Sequence, residues 1–429
     1  MSTMEPAFRV RIVVFASGER FPVLLNEHGC PLFRPTLFAL TQVRGRNLST
    51  NTISNVLRAI VVLEHFLAAR RIDIDSRLEY GELLSVAEVE GLIRSSRQPL
   101  AEFGSRTTVS CTQSKKPLLA KEAVRTRPPG QRLKEVAPQV ASTRLLYIRS
   151  YLAWLADDRR SRNGVSNALL TRLQGATEIT FRALDSRKRY SSAASVGVER
   201  EGLSDRQVQE LLRVTDPSCA DNPWRDEHTR HRNALLVRWL LNLGLRIGEA
   251  LGVRNSDIDS RLGEVTIHRR ADDPEDPRRN QPQAKTRARV LQLQKDLLVQ
   301  TNAYVLDHRS GLPKSKTHAF LFAASRTGKP LTVAAAEKVF EVLRTACPDL
   351  PKNFSPHLLR HTWNDMFSRQ MDAARVSPVE EQKYRSYLMG WSPMSDHAAI
   401  YTKRHIRRKA REASLAMQER ILAEGYRDE

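Results

Sequence analysis

The sequence predicts a mainly α-helical protein with one small antiparallel β-sheet, and three observations support this prediction. Apolar residues recur at helical spacing in two N-terminal segments, one after Ser49 and one after Ser142. Helix-start signals and helical periodicity also recur through the second half of the chain. Two short segments there, residues 264–269 and 288–293, are predicted to form a pair of β-strands.

The chain has 429 residues, more than one hydrophobic core usually serves, so two or three domains are expected. Residues 1–35 mix short β-like runs at 10–15 and 23–25 with turns, and their role is not evident. Residues 36–190 form a helical domain that carries a polar, basic insertion at 95–138. Residues 187–200 are mostly basic and small and show little apolar periodicity, which indicates a domain boundary. A second domain is expected over 200–429.

Local signals support the individual helices. Ser49 or Thr50 can cap the first long helix, whose apolar face is then Ile53, Val56, Leu57, Ile60, Leu63, Phe66 and Leu67. The second long helix places Leu145, Ile148, Leu152 and Leu155 on one face. Ser204 and Gln207 form a capping-box pattern that opens the second domain. Further helices are predicted at 227–243, 333–346, 356–370, 380–389 and 405–423.

The charge balance points to a polyanionic partner. Sixty-nine Lys and Arg residues face 48 Asp and Glu residues, which gives a net charge of +21 and a pI near 10.2. A surplus of this size favours nucleic acid binding through phosphate attraction and counterion release. The alternative is a simple solubility charge.

Membrane and export functions are disfavoured. The N-terminal segment does not combine a basic leader with a clean apolar stretch, and no run of 18 apolar residues occurs. The cysteines, Cys30, Cys111, Cys219 and Cys347, lie far apart without a CxxC pair. Neither a disulfide framework nor a zinc site follows from them, and a reducing cytoplasm fits.

Two short segments of the second domain are rich in side chains that handle phosphate. In LNLGLRIGEALGV, Arg246 follows a helix that passes through Gly244. We expect this charge to be shielded from solvent and to meet a phosphate or a carboxylate. Glu249, three residues on, is the internal candidate, so an ordinary salt bridge remains an alternative.

The second segment is SPHLLRHTW. Ser355 and Pro356 suit a helix start, and His357, Arg360 and His361 follow at spacing that places them on one helix face. Such a face can hold a phosphate and exchange its proton. The alternative is an exposed polar face without chemistry.

Two further segments contribute single residues. LMGWSPMSDHAAIYTKRH contains Trp391 and Tyr401, and QPQAKTRARVLQL contains Lys285 at the start of a predicted strand. Taken alone, each of these is an ordinary core or surface residue.

The order Arg246, Lys285, His357-x-x-Arg360, Trp391, Tyr401 resembles the catalytic set of the tyrosine recombinases, the phage integrase family. The resemblance covers residues 202–411. Trp391 stands where the family more often has His. The helical segment 49–155 is loosely similar to the family's core-binding domain, which binds DNA. The resemblance therefore implies a tyrosine recombinase catalytic domain beside a helical core-binding domain.

The resemblance also implies a mechanism. Tyr401 attacks a DNA phosphate to form a 3′-phosphotyrosine, and Arg246 and Arg360 bind the non-bridging oxygens. His357 accepts the tyrosine proton and Lys285 protonates the departing 5′-oxygen. The supporting roles are an indole N–H donated by Trp391, a hydrogen bond from His361, and Glu249 orienting Arg246.

The Lys285 assignment has an alternative. The segment 271–283 looks like an insertion before it, and a shifted register would leave Arg287 or Arg289 nearest the phosphate. No cluster of Asp and Glu accompanies the basic segments, so the reaction is expected to need no metal and no cofactor.

A basic run follows Tyr401, and its side chains are expected to contact the DNA backbone: Lys403, Arg404, Arg407, Arg408 and Lys409. The helix at 405–423 is expected to pack either on its own domain or on a neighbouring protomer. The resemblance implies a homotetramer on double-stranded DNA, with or without partner recombinases. It also implies a cytoplasmic protein associated with the nucleoid.

Three functions stay open at this stage. The first is a site-specific recombinase or integrase. The second is a nicking and rejoining enzyme like the type IB topoisomerases, which shares the chemistry but acts as a monomer. The third is a catalytically idle DNA-binding accessory protein, which the complete set of catalytic side chains disfavours.

Overall fold

The computed structural model describes residues 8–102, 135–186, 202–284, 286–392, 414, 415 and 417. The contacts divide the chain into two compact units, Met1–Phe15 with Arg20–Val196, and Ala16–Glu19 with Gly197–Glu429. Lys285, Tyr401, Cys111, the predicted boundary at 187–200 and most of the basic insertion lie outside the described residues.

The first unit combines a β-hairpin with helices. Its elements are β1 (Arg9–Val14), β2 (Arg20–Leu25), α1 (Phe33–Phe38), which continues as a π-helical turn (Ala39–Arg44), α2 (Thr50–Arg70), α3 (Ile74–Glu79), α4 (Val86–Ser96), α5 (Pro138–Arg160) and α6 (Asn167–Asp185). The two strands are antiparallel, with Arg9 opposite Leu25 and Val14 opposite Arg20. The predicted strands are therefore confirmed, although β2 begins three residues earlier than expected.

Helix α2 lies at the centre of this unit. Ser49 caps it by accepting a hydrogen bond from the backbone N–H of Thr52, at 3.3 Å. All seven predicted face residues are buried, and the helix packs against β2, α4 and α5. Helix α5 begins at Pro138, four residues before the predicted start, and its predicted apolar face is also buried.

Helix α2 is also long and apolar enough to span a membrane by length and composition alone, with a mean hydropathy of 1.4 over its best window. Its buried face, however, belongs to the core of the unit. The hairpin shares that core, since Phe21, Val23 and Leu24 on β2 are buried beside α2.

The second unit holds the remaining helices and a three-stranded antiparallel sheet. Its elements are α7 (Asp205–Thr215), α8 (Glu227–Leu243), α9 (Ile247–Gly252), β3 (Ile258–Asp259), β4 (Glu264–Ile267), β5 (Arg289–Gln292), α10 (Lys295–Ala303), which continues as a π-helical turn (Tyr304–Arg309), α11 (Val333–Ala346), α12 (Pro356–Ala373) and α13 (Pro378–Met389). The sheet order is β3-β4-β5. The predicted mainly α-helical fold with a small antiparallel sheet is thus confirmed.

Most boundaries in this unit agree with the sequence prediction. Helices α8 and α11 begin and end as predicted, and the capping box of Ser204 and Gln207 is present. Helix α12 runs three residues further than expected, to Ala373. Helix α13 begins two residues early because Ser377 and Glu380 form a capping box of their own, which the sequence analysis missed.

The turn between α8 and α9 depends on glycine. Gly244 ends α8 with φ +60°, and a Cβ added there would lie 2.8 Å from a ring carbon of Trp363. A left-handed residue in such close contact favours glycine. The chain then turns at once into α9, and Arg246 is the N-cap residue of that helix.

Candidate active site

Arg246 lies at the start of α9, where its side chain meets both protein and solvent. Nη1 is 3.3 Å from Oε1 of Glu249, so the internal partner expected from the sequence is present. The side chain is 30% exposed, which corrects the expectation that it is shielded from solvent. The reason is that Arg246 caps a helix rather than lying inside one. The side chain is therefore partly accessible from solvent.

Glu249 is the centre of the site. Its side chain is fully buried, and it accepts hydrogen bonds from the backbone N–H of Arg246 at 3.1 Å and from Oγ1 of Thr286 at 2.5 Å. Nη2 of Arg289 donates at 2.9 Å, and Nη1 of Arg360 lies 3.8 Å away. One carboxylate thus holds three guanidinium groups from three different parts of the chain.

The charges around Glu249 keep it ionised. Burial by itself raises the pKa of a carboxyl group, but the positive charges of Arg289 and Arg360 and the hydrogen bonds outweigh that effect and hold the pKa of Glu249 below its usual value. The site therefore contains one buried negative charge beneath several positive ones, an arrangement that leaves a positive surplus for an anionic ligand.

Arg360 connects α12 to the two neighbouring turns. Its side chain is 1% exposed, Nη1 donates to the backbone oxygen of Gly244 at 2.7 Å, and Nη2 donates to that of Met389 at 3.3 Å. Its guanidinium carbon lies 5.5 Å from the ring centre of Trp391. Contact with a phosphate would use other N–H groups of this side chain or an exchange of these bonds.

The two histidines of α12 contact each other. The ring centroids of His357 and His361 are 4.5 Å apart in an edge-to-face arrangement, as expected for residues one helical turn apart. His357 is exposed in the first turn of α12, whereas His361 is half-buried. Arg360 on the same helix is buried, so of the three residues predicted to share one accessible face, His357 is exposed, His361 is half-buried and Arg360 lies in the core.

Trp391 is buried directly after the left-handed Gly390, which ends α13 with φ +64°. The backbone N–H of Arg287 donates to the oxygen of Gly390 at 2.9 Å, so the segment leading into β5 is joined to the end of α13. A Cβ on Gly390 would lie 2.8 Å from Nη1 of Arg289. The site therefore needs a glycine before Trp391.

The alternatives to Lys285 have different surroundings. Arg289 is buried and donates hydrogen bonds both to Glu249 and, through Nε, to the backbone oxygen of Leu388 at 2.6 Å. Its contacts therefore join β5 to α13 inside the unit. Arg287 is exposed and lines a cleft of about 500 Å³ beside Trp391. The position of Lys285 itself lies outside the described residues, but its neighbour Thr286 is anchored to Glu249.

The segment 271–283 before Lys285 is fastened by a buried ion pair. Arg278 and Asp276 are both buried and joined by paired hydrogen bonds at 2.9 Å. Nη1 of Arg278 also donates to the oxygens of Leu251 and Leu331, at 3.0 and 2.8 Å. The insertion thus belongs to the unit that carries the site and packs beside α9.

Thr286 and Arg289 are the functional neighbours that the sequence analysis missed as partners of Glu249. Strand β5 alternates buried and exposed residues, and Arg289 lies on the buried side with Leu291. An arginine at an inward position of a short strand predicts a buried acidic partner, and this signal could have found the contact.

The remaining predicted residues cannot be placed. Tyr401 and the basic residues Lys403, Arg404, Arg407, Arg408 and Lys409 lie outside the described residues. Of the predicted helix at 405–423, the described residues are Ser414, Leu415 and Met417, which are helical and exposed.

A protein-family comparison finds a match within the second unit. The model of the phage integrase family matches residues 201–408, which include every residue of the predicted catalytic set. No curated protein matches the chain.

Three solved structures show distant similarity to this chain. The XerA recombinase is 17% identical, with a TM-score of 0.35, over 60% of this chain and 77% of that one. The Tn1549 transposon integrase in complex with circular intermediate DNA is 16% identical, with a TM-score of 0.39, over 62% and 75%. The lambda integrase dimer bound to a COC′ core site is 14% identical, with a TM-score of 0.46, over 86% and 76%. The second unit therefore carries a domain that matches the phage integrase family over residues 201–408.

Proposed function

We propose that this protein is a site-specific DNA recombinase or integrase that cuts and rejoins DNA through a phosphotyrosine on Tyr401. The observation that carries the proposal is the buried carboxylate of Glu249. It pairs with Arg246 and Arg360, and Arg360 in turn donates a hydrogen bond to the backbone oxygen of Met389, two residues before Trp391. Residues scattered along the second domain in the sequence therefore meet in one cationic cluster.

The proposed reaction begins with attack of the Tyr401 oxygen on a DNA phosphorus atom. A tyrosine–phosphorus bond forms and the bond to the 5′-oxygen breaks, while His357 takes the phenol proton and Lys285 gives one to the leaving oxygen. A 5′-hydroxyl from another strand reverses the step, since the phosphotyrosine conserves the bond energy. Arg246 and Arg360 stabilise the charge on the non-bridging oxygens, so the proposal needs no metal ion and no cofactor.

Described side chains are suited to these roles in different ways. His357 is exposed at the start of α12 and accessible to a phenol. Trp391 stacks near Arg360, so its indole would position the phosphate and the guanidinium together. His361 supports His357 through the ring contact, and Glu249 orients Arg246.

Double-stranded DNA is the proposed partner. The net charge of +21 supplies long-range attraction, and the basic residues at 403–409 are proposed to contact backbone phosphates. We further propose that the helical first unit is a core-binding domain and that the protein acts as a homotetramer, with or without partner recombinases. A cytoplasmic location at the nucleoid follows from this partner.

The C-terminal helix is proposed to dock on a neighbouring protomer. The cleft of about 500 Å³ beside Trp391 supports an acceptor surface, because its rim includes the exposed apolar side chains of Val379 and Tyr387. Packing of the helix on its own domain is the alternative.

The test is covalent trapping. The cognate site is first mapped beside the encoding gene, and a DNA duplex nicked within that site is incubated with the protein. We expect a protein–DNA adduct that resists denaturation, and its loss in Tyr401→Phe with nearly unchanged DNA affinity. An adduct that survives Tyr401→Phe would show that another residue is the nucleophile, and absence of any adduct would favour an accessory DNA-binding protein.

A second assay separates the two enzyme classes. Relaxation of supercoiled plasmid without exchange between two sites would identify a topoisomerase-like enzyme. Exchange between two cognate sites, with a protein that assembles on paired duplexes, supports the recombinase.

A further inference from the structure

A cluster of three potential metal ligands lies on the second unit. The carboxylate of Glu227 and the imidazoles of His231 and His308 offer ligand atoms that all lie within 4.8 Å of one another. The two imidazole rings are stacked, with centroids 3.7 Å apart and planes inclined by 20°. Two of the residues are half-buried and Glu227 is exposed, so an ion from solvent can reach them.

The cluster joins two elements that the core already holds together. Glu227 and His231 lie one turn apart on α8, and His308 lies on the π-helical turn Tyr304–Arg309. Deeper in the unit, Nε2 of His228 is 3.2 Å from the hydroxyl of Tyr304. His231 is one turn after His228, and His308 one turn after Tyr304, so the buried contact fixes the spacing of the outer pair.

Two further contacts restrain α8, one with α10, which continues into that turn, and one with Ser325. Nε1 of Trp239 donates to Oγ1 of Thr301 at 3.0 Å, and Nδ1 of His228 is 2.9 Å from Oγ of Ser325. The backbones that carry the three ligands are therefore placed in advance, and binding requires a change in the side-chain torsions of the two stacked histidines. Such a preorganised set is what a metal ion requires for tight binding.

We propose that Glu227, His231 and His308 bind one divalent transition-metal ion, with Zn²⁺ as the best match. Two imidazole nitrogens and one carboxylate oxygen form a donor set typical of zinc, whereas Ca²⁺ and Mg²⁺ take oxygen ligands. Tetrahedral zinc places its ligand atoms about 3.3 Å apart. Binding requires the two stacked rings to turn, so that a nitrogen lone pair of each, which lies in the ring plane, faces the same ion. A water molecule completes the coordination.

This site is separate from the proposed catalytic cluster. His231 precedes Arg246 by fifteen residues, most of them in α8, which corresponds to roughly 20 Å of helix. The ion would cross-link α8 to the helical segment after α10, and its role is stability of the unit. The proposal therefore does not depend on the recombinase activity.

The test uses the full chain after treatment with a chelator. Titration calorimetry with ZnCl₂ should detect one ion per chain that His231→Gln and His308→Gln each weaken by tenfold or more. At a Zn²⁺ concentration about 100 times the dissociation constant, the midpoint of thermal unfolding should rise by roughly 5–10 °C. MgCl₂ should produce no such rise.

His28→Gln is the matched control. His28 is an exposed histidine beside Glu27 in the first unit, 3.4 Å from that carboxylate, and its replacement should leave zinc binding unchanged. Glu227→Gln serves as a second variant that keeps the fold intact, because Glu227 is an exposed side chain in the first helical turn.

Three results would overturn the proposal. The first is a thermal midpoint that does not respond to Zn²⁺. The second is a zinc affinity that remains at the parental level in His231→Gln and His308→Gln, which would place the ion elsewhere. The third is an unchanged zinc affinity in Glu227→Gln, which would exclude this carboxylate as a ligand.

Discussion

Replacement of Glu249 by glutamine tests the central claim about the site. Glu249→Gln preserves the size of the side chain and one hydrogen-bond acceptor, but it removes the negative charge that faces Arg246, Arg289 and Arg360. Arg246 is partly solvated and loses little. Arg289 and Arg360 are almost fully buried, so their charges would remain in the core without the compensating carboxylate.

The magnitude follows from this burial. Removal of one partner from a buried ion pair typically costs about 3–5 kcal/mol. The glutamine oxygen can still accept a hydrogen bond, for example from Thr286, so we expect the lower end, about 3 kcal/mol. For a unit of this size, that change lowers the thermal midpoint by roughly 6–12 °C.

The assay is thermal unfolding monitored by circular dichroism, with Glu275→Gln as the control. Glu275 also pairs with an arginine, Arg254, but its side chain is 72% exposed, and such pairs contribute about 0–1 kcal/mol. If Glu249→Gln lowers the thermal midpoint no more than Glu275→Gln does, the ion pairs of Glu249 with the three arginines do not stabilise the unit and the reasoning is wrong.

The pH dependence provides a second check on the same residue. The pKa of Glu249 is lowered in the folded state, so its contribution to stability is present above the ordinary carboxyl pKa of 4.5 and is lost as the pH falls through the folded-state value. The parental protein and Glu249→Gln should therefore converge in stability at acidic pH and differ most near neutrality.

Three further predictions concern other residues. Arg246→Ala should slow the proposed strand cleavage by about 10²–10³-fold in single-turnover assays, and the fold should persist because the side chain is partly exposed. Cleavage at the parental rate would show that Arg246 does not stabilise the phosphate. Gly390→Ala should lower the free energy of unfolding by about 2 kcal/mol or more in chemical denaturation, because φ is positive there and an added Cβ contacts neighbouring atoms. In the control Gly311→Ala the added Cβ lies in open space, so the free energy of unfolding should change by no more than about 0.5 kcal/mol. Burial, followed by the charge of a nearby aspartate, raises the pKa of Glu64 to about 7, so the stability of the folded protein should fall as the pH rises from 4.5 to 7. The variant Glu64→Gln should be more stable than the parental protein by about 2–3 kcal/mol at pH 8 and equally stable at pH 4. An equal gain in stability at both pH values would contradict this.

Local patterns predicted the elements that carry the site. The apolar spacing that defines α2 and α8, and the capping box at Ser204, act within a few residues of one another, so the sequence alone reveals them. The contact between Arg246 and Glu249 belongs to the same class, since the two residues share one helix start. The family resemblance, now matched over residues 201–408, added the order of the other proposed catalytic residues.

Long-range contacts required the tertiary structure. Arg289 reaches Glu249 across forty residues, and Arg360 bonds the backbone of Gly244 across 116. Neither spacing produces a periodic signal, because the contacts depend on how α9, β5 and α12 pack. The sequence by itself predicted Arg246 with Glu249 and the helix that carries His357, Arg360 and His361, but not Thr286 and Arg289 as partners of Glu249. Only the packing decided that one buried carboxylate lies against three arginines. Burial makes an unpaired charge costly, so it favours the partner that the fold brings near.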